Sequence, residues 1–115
     1  GSALNYLQKE LKAKAGRAVA LTFENPDVMP HNWVLVKTGS EERVGMAAAL
    51  MVSLPDGMER HYVPESPDVL VHTRILDPGK KTTIYFTAPK EPGRYPYLCS
   101  FPGHSQLMRG VLVVE

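Results

Sequence analysis

The residues best equipped for chemistry fall in one short run, Cys99-Ser-Phe-Pro-Gly-His104-Ser-Gln-Leu-Met108, which sets a thiol, an imidazole and a thioether on one loop. Pro102-Gly103 forces a turn between them, so the loop can fold its sulfur and nitrogen donors back toward one point. A second imidazole, His31, stands at the start of an apolar run around Trp33, and a β-sandwich would deliver it to the same end of the molecule. Two imidazoles and a thiolate in a trigonal arrangement, with a distant thioether on the axis, suit copper. Thiolate and thioether are soft and favour Cu(I), while imidazole serves both oxidation states. A scaffold that holds a compromise geometry changes little when an electron arrives, so transfer is fast.

Such a loop needs rigid elements on either side. Val19, Leu21 and Phe23 alternate with Ala18, Ala20, Thr22 and Glu24, the period of a half-buried strand. Asn32 to Val36 reads as a short apolar strand around Trp33. Ile84 and Phe86 alternate with Thr83 and Tyr85 after an Asp77-Pro78-Gly79 turn. Gly93 to Leu98 and Gly110 to Val114 read as two more strands, one on each side of the donor loop. At the N-terminal end Leu11, Ala13 and Ala15 alternate with Glu10, Lys12 and Lys14, and Gly16-Arg17 turns the chain into the Ala18 strand. Leu4, Leu7 and Leu11 also have helical spacing; strand–turn–strand is the reading favoured there. Val44 to Met51 is too rich in Ala and Met for a strand and is expected to be helical, with Ser40 as N-cap and Glu41 and Glu42 in the first turn. The expectation is an all-β sandwich with one short helix inserted near residues 41–52.

Composition closes off several other classes. The 115 residues amount to one domain, 1–115, and the balance of 43% apolar to 22% charged residues is that of a soluble globule. Thirteen Lys and Arg against twelve Asp and Glu give a formal charge of +1, with no basic stripe to suggest nucleic acid. No apolar run approaches the roughly 20 residues of a membrane span. Cys99 is the sole cysteine, which excludes an intramolecular disulfide, four-cysteine zinc, iron–sulfur clusters and C-x-x-C-H haem attachment. Gly1-Ser2 reads as the scar of a cleaved tag, so the missing signal peptide says nothing about compartment.

The run Cys99 to Met108, the His31-Asn32 pair followed by Trp33-Val34-Leu35, and the stretch from Asp56-Gly57-Met58 to His72-Thr73 resemble the azurin and auracyanin group of blue copper proteins, the cupredoxins. The resemblance covers nearly the whole chain. It implies a Greek-key β-sandwich of about seven or eight strands and a type 1 copper site that carries electrons between Cu(I) and Cu(II). It also implies His31, Cys99 and His104 as equatorial ligands and Met108 as the weak axial one. Asn32 and Ser100 would hydrogen-bond the ligand loops together. In azurins a Gly carbonyl before the first His approaches the metal; Pro30 stands there instead, so four- and five-coordinate sites both stay open. Met29, Phe101, Pro102, Gly103 and Leu107 would form an apolar rim for docking a redox partner, such as a c-type cytochrome or a fused haem domain. The implied setting is periplasmic or extracytoplasmic, as a monomeric domain, with zinc a possible substitute metal in recombinant protein.

Outside the motif, His61 and His72 read as ordinary surface or packing histidines, Trp33 as a core aromatic, and Met46 and Met51 as helix packing. Catalysis is not expected, because oxidases of this lineage flank the cysteine with histidines and Cys99 lies between Leu98 and Ser100. The alternatives carried forward are a copper-binding or delivery module and a metal-free interaction domain within a larger redox protein.

Overall fold

The computed structural model describes residues 10–25, 29–101 and 109–115. Among them lie seven strands and one α-helix: β1 Glu10–Ala13, β2 Ala18–Glu24, β3 Val34–Val36, α1 Glu41–Leu50, β4 Val69–His72, β5 Lys81–Thr87, β6 Gly93–Leu98 and β7 Arg109–Val114. A five-stranded sheet runs in the order β1-β7-β6-β3-β4, and β2 and β5 form a second, two-stranded sheet. β1 lies parallel to β7, with Leu11 opposite Leu112; the other pairings are antiparallel.

The period-2 pattern of the sequence governs the small sheet. Leu21 opposes Ile84 and Val19 opposes Phe86, all turned inward, while the outward Thr22 and Thr83 share a hydroxyl hydrogen bond of 2.8 Å. Of these, Leu21, Ile84 and Phe86 pack on Trp33, Leu35, Tyr97, Cys99, Leu112 and Val114 of the large sheet, the main core. The opposite face of β3 and β6 is also covered. There Val34, Val36 and Leu98 pack with Val44 of α1 and Val63, a second core under the helical insertion. A strand buried on both faces carries no alternation, which is why β3 reads as an unbroken apolar run.

Tyr97 crosses from β6 to Gly110 on β7, and a Cβ at Gly110 would collide with its ring. Trp33 stacks beside Tyr97 at 5.1 Å between centroids, so the aromatic core sits two residues from Cys99.

Several expectations change in detail. The Trp33 strand begins at Val34 rather than Asn32, because His31 forms only an isolated bridge to Leu76. The helix starts at Glu41, with Ser40 at the N-cap position, but the Ser40 hydroxyl donates to the Lys37 carbonyl instead of capping the helix. Met51 is buried as expected; Met46 is 67% exposed, because α1 turns Val44, Gly45 and Ala48 inward. β4 was not legible as a strand. Of the docking and ligand residues, Pro102, Gly103, His104, Leu107 and Met108 lie outside the described residues, as does the helical alternative at Leu4 and Leu7.

Candidate metal centre

Two strand ends bring the described donors together. His31 is fixed from both sides of its backbone: its N–H donates to the Leu76 carbonyl at 3.1 Å and its carbonyl accepts from the Leu76 N–H at 2.8 Å. Cys99 follows β6, whose Leu98 pairs with Val34 of β3, so the thiol is carried beside the same strand. Cys99 Sγ and His31 Nδ1 lie 3.8 Å apart, both buried. With metal bonds of about 2.3 Å to sulfur and about 2.05 Å to nitrogen, a trigonal angle of about 120° puts two donors about 3.8 Å apart, and a tetrahedral one about 3.6 Å. The pair therefore stands at a separation that fits donors to a common ion.

The sulfur sits in a dry, donor-rich pocket. The backbone N–H of Asn32 donates to Sγ at 3.5 Å, and the Phe101 N–H donates to it as well. Burial is the stronger influence and pushes the metal-free thiol up to about 11, while the two N–H donors pull it down. A soft cation that replaces the proton would remove that penalty.

The loops around the pair are laced by one buried amide. Asn32 Nδ2 donates to Ser100 Oγ at 2.8 Å and to the His61 carbonyl at 3.1 Å, while Asn32 Oδ1 accepts from the Ser100 N–H at 2.8 Å. This bidentate contact locks the residue after His31 to the residue after Cys99. Thr73 extends the lacing by accepting the Trp33 N–H at 3.0 Å. Buried Asn25 holds the approach to His31, donating through Nδ2 to the carbonyls of Met29 at 2.8 Å and Leu76 at 2.9 Å. Asn25 does not stand out in the sequence, and Thr73 figures there only as the end of the family-like stretch that closes on His72-Thr73. The signal available was an Asn just ahead of Pro26 and a Thr following His72, both common in loops.

Met29 and Pro30 are half-buried beside His31, and half-buried Phe101 packs on the main core and meets the edge of Tyr62 at 5.6 Å. Among the described residues no three His, Cys, Asp or Glu side chains converge; His31 and Cys99 are the pair that meet. His72 is exposed, its Nδ1 2.9 Å from the Thr73 carbonyl.

The model of the copper-binding proteins of the plastocyanin/azurin family matches residues 1–115. The chain belongs to the plastocyanin/azurin family. Auracyanin-A of Chloroflexus aurantiacus is 38% identical over 117 residues, spanning 100% of this chain and 70% of the relative. Azurin of Pseudomonas denitrificans is 36% identical over 113 residues, spanning 89% of this chain and 82% of that protein. The solved structure of auracyanin A, described as a "blue" copper protein of Chloroflexus aurantiacus, superposes with a TM-score of 0.87 at 33% identity, covering 100% of this chain and 92% of that one. The two sheets and inserted helix are thus those of a cupredoxin, and the family and its members are blue copper electron-transfer proteins. No helix among the described residues of this family member is long and apolar enough to cross a membrane.

Proposed function

We propose that this cupredoxin carries single electrons, holding copper through His31, Cys99 and His104 in a near-trigonal set with Met108 as a weak axial ligand. The supporting observation is the 3.8 Å approach of Cys99 Sγ to His31 Nδ1 in a buried pocket. In the sequence, His104 and Met108 follow Cys99 at ligand spacing. Copper supplies the Cu(I)/Cu(II) couple. The chain's own residues set the conditions around it. The backbone bridge to Leu76 keeps His31 from swinging, and the Asn32–Ser100 clamp keeps the two ligand loops at one separation, so reorganisation on electron transfer is small. The Asn32 and Phe101 N–H groups donate to the sulfur and favour its electron-rich, reduced-state charge. Four- and five-coordinate versions of the site differ in whether the Pro30 carbonyl contacts the ion.

His104 is proposed as the electron port, with Met29, Phe101, Pro102, Gly103 and Leu107 proposed as an apolar docking rim. Its partner is a redox protein, a c-type cytochrome or a fused haem domain, met in an extracytoplasmic compartment. No bond chemistry is proposed, and zinc would fit the same donors. Met108→Ala should leave copper bound and shift the midpoint potential measured by voltammetry; loss of copper binding on that change would contradict the axial assignment.

A further inference from the structure

The helical insertion ends in a turn that reaches the metal loop, and its last residues carry two left-handed conformations in succession, His61 at φ 56° and Tyr62 at φ 53°. Side chains avoid that region, and such a pair persists only where its surroundings fix it. Here they do. The Tyr62 N–H donates to the Gly57 carbonyl at 3.0 Å, the His61 N–H donates to the Met58 carbonyl at 2.9 Å, and a Cβ on Gly57 would strike the Met51 carbonyl.

From this turn His61 reaches two segments at once. Its carbonyl accepts from Asn32 Nδ2 at 3.1 Å, and its ring Nδ1 accepts from the Ile75 N–H at 3.2 Å, which leaves the ring proton on Nε2. Each contact lands one step from the metal pair. Asn32 gives its backbone N–H to Cys99 Sγ, and Ile75 precedes Leu76, whose N–H and C=O both pair with His31. Next to His61, the Tyr62 ring meets Phe101 edge-on, and Phe101 is the other N–H donor to the sulfur.

We propose that His61 is a positioning residue for the copper site, riveting the Asn32 amide and the Ile75–Leu76 segment so that N–H donation to the Cys99 sulfur stays firm. The proposal rests on the electron-carrier reading above and names a residue of that site outside the ligand motif. The reduced site carries the greater electron density on sulfur, so firm donors favour it. Loosening the rivet should lower the midpoint potential and open the thiol.

Two variants separate ring from backbone. His61→Gly keeps the carbonyl and accepts φ 56° freely, removing only the ring acceptor. His61→Asn tolerates the left-handed region and returns a short acceptor oxygen. In copper-loaded protein, His61→Gly should lower the potential by about 30–60 mV, a three- to tenfold change in relative affinity for the two oxidation states. In metal-free protein it should speed alkylation of Cys99 by a similar factor, and His61→Asn should return both values most of the way. Unchanged potential and alkylation in His61→Gly, or an Asn variant as displaced as the Gly one, would overturn the proposal. Should His61→Gly not fold, amide exchange in the wild type decides: a protected Ile75 N–H in the metal-free protein supports the rivet, and free exchange there overturns it. The two readings fail differently. A wild type without a blue band refutes the electron carrier, whereas a blue wild type with indifferent His61 variants refutes the rivet alone.

Discussion

Replacing Asn32 should cost this fold more than any other single change in a polar residue beside the metal pair. Its amide is fully buried and, among the described residues, makes three hydrogen bonds, to Ser100 Oγ, to the Ser100 N–H and to the His61 carbonyl. Asn32→Ala removes all three, at about 1 kcal/mol net each, and leaves the buried Ser100 N–H without its acceptor, which adds about 1–3 kcal/mol. The expected loss is about 4–6 kcal/mol. Ser100→Ala deletes only the hydroxyl partner, leaves Asn32 Nδ2 on the His61 carbonyl, and should cost about 1 kcal/mol. The double variant should fall short of the sum by about 1 kcal/mol, since the Nδ2–Oγ bond is lost in both singles. Urea unfolding of metal-free protein at neutral pH reads these differences without a contribution from bound copper. With a slope of about 1.5 kcal/mol/M, Asn32→Ala should lower the midpoint by about 3–4 M or abolish the folded state. A loss below about 1 kcal/mol, or strictly additive singles, would refute the claim that this amide joins the two loops.

Two further outcomes follow from the core. Folding raises the Cys99 thiol from 9.0 to about 11 and the Tyr97 hydroxyl from 10.0 to about 12, burial being the main cause in both. The unfolded thiol therefore ionises first as pH rises, so metal-free stability is intact below about pH 9 and falls by up to about 3 kcal/mol toward pH 11. Urea titrations across that range should show a steeper loss in the wild type than in Cys99→Ser, whose hydroxyl does not titrate; equal slopes would contradict the buried thiol. Gly110→Ala forces a methyl group into the Tyr97 ring and should cost about 1–3 kcal/mol. A thermal melt would show this as a drop of roughly 4–12 °C; an unchanged melting temperature would mean that Tyr97 turns aside freely.

Much of the architecture was legible because one face of each strand in the small sheet meets solvent. Val19, Leu21 and Phe23 alternate with polar or small neighbours for that reason, and β6 begins at Gly93 and ends at Leu98, where the turn residues and the start of the donor run mark it. β4 stayed hidden because Leu70, one of its two outward residues, is apolar and 40% exposed, which blurs the alternation of Val69-Leu70-Val71-His72. Met46 misled in the opposite sense. An apolar side chain in a helix reads as core, yet α1 gives its cluster Val44 alone and otherwise buries only Gly45 and Ala48.

The donor motif was the most readable part, since Cys99, His104 and Met108 are close in sequence and chemically distinctive. His31 lies far upstream, and its approach to Cys99 is a product of the β3–β6 pairing. His61 reads in the sequence as an ordinary surface or packing histidine. It is half-buried, its carbonyl accepting from Asn32 Nδ2 and its ring Nδ1 from the Ile75 N–H, and neither contact follows a side-chain pattern legible in the sequence. Its left-handed backbone was equally silent, because neither His61 nor Tyr62 is a Gly or Asn that would announce it.

The most direct test of the central claim is a visible absorption spectrum taken after one equivalent of Cu(II) is added to metal-free protein, with Cys99→Ser beside it. An intense blue band in the wild type, absent from the variant, is the predicted result and establishes a bond between copper and the Cys99 sulfur. A colourless wild type that retains no copper would contradict the electron-carrier account and leave a metal-free interaction domain in its place.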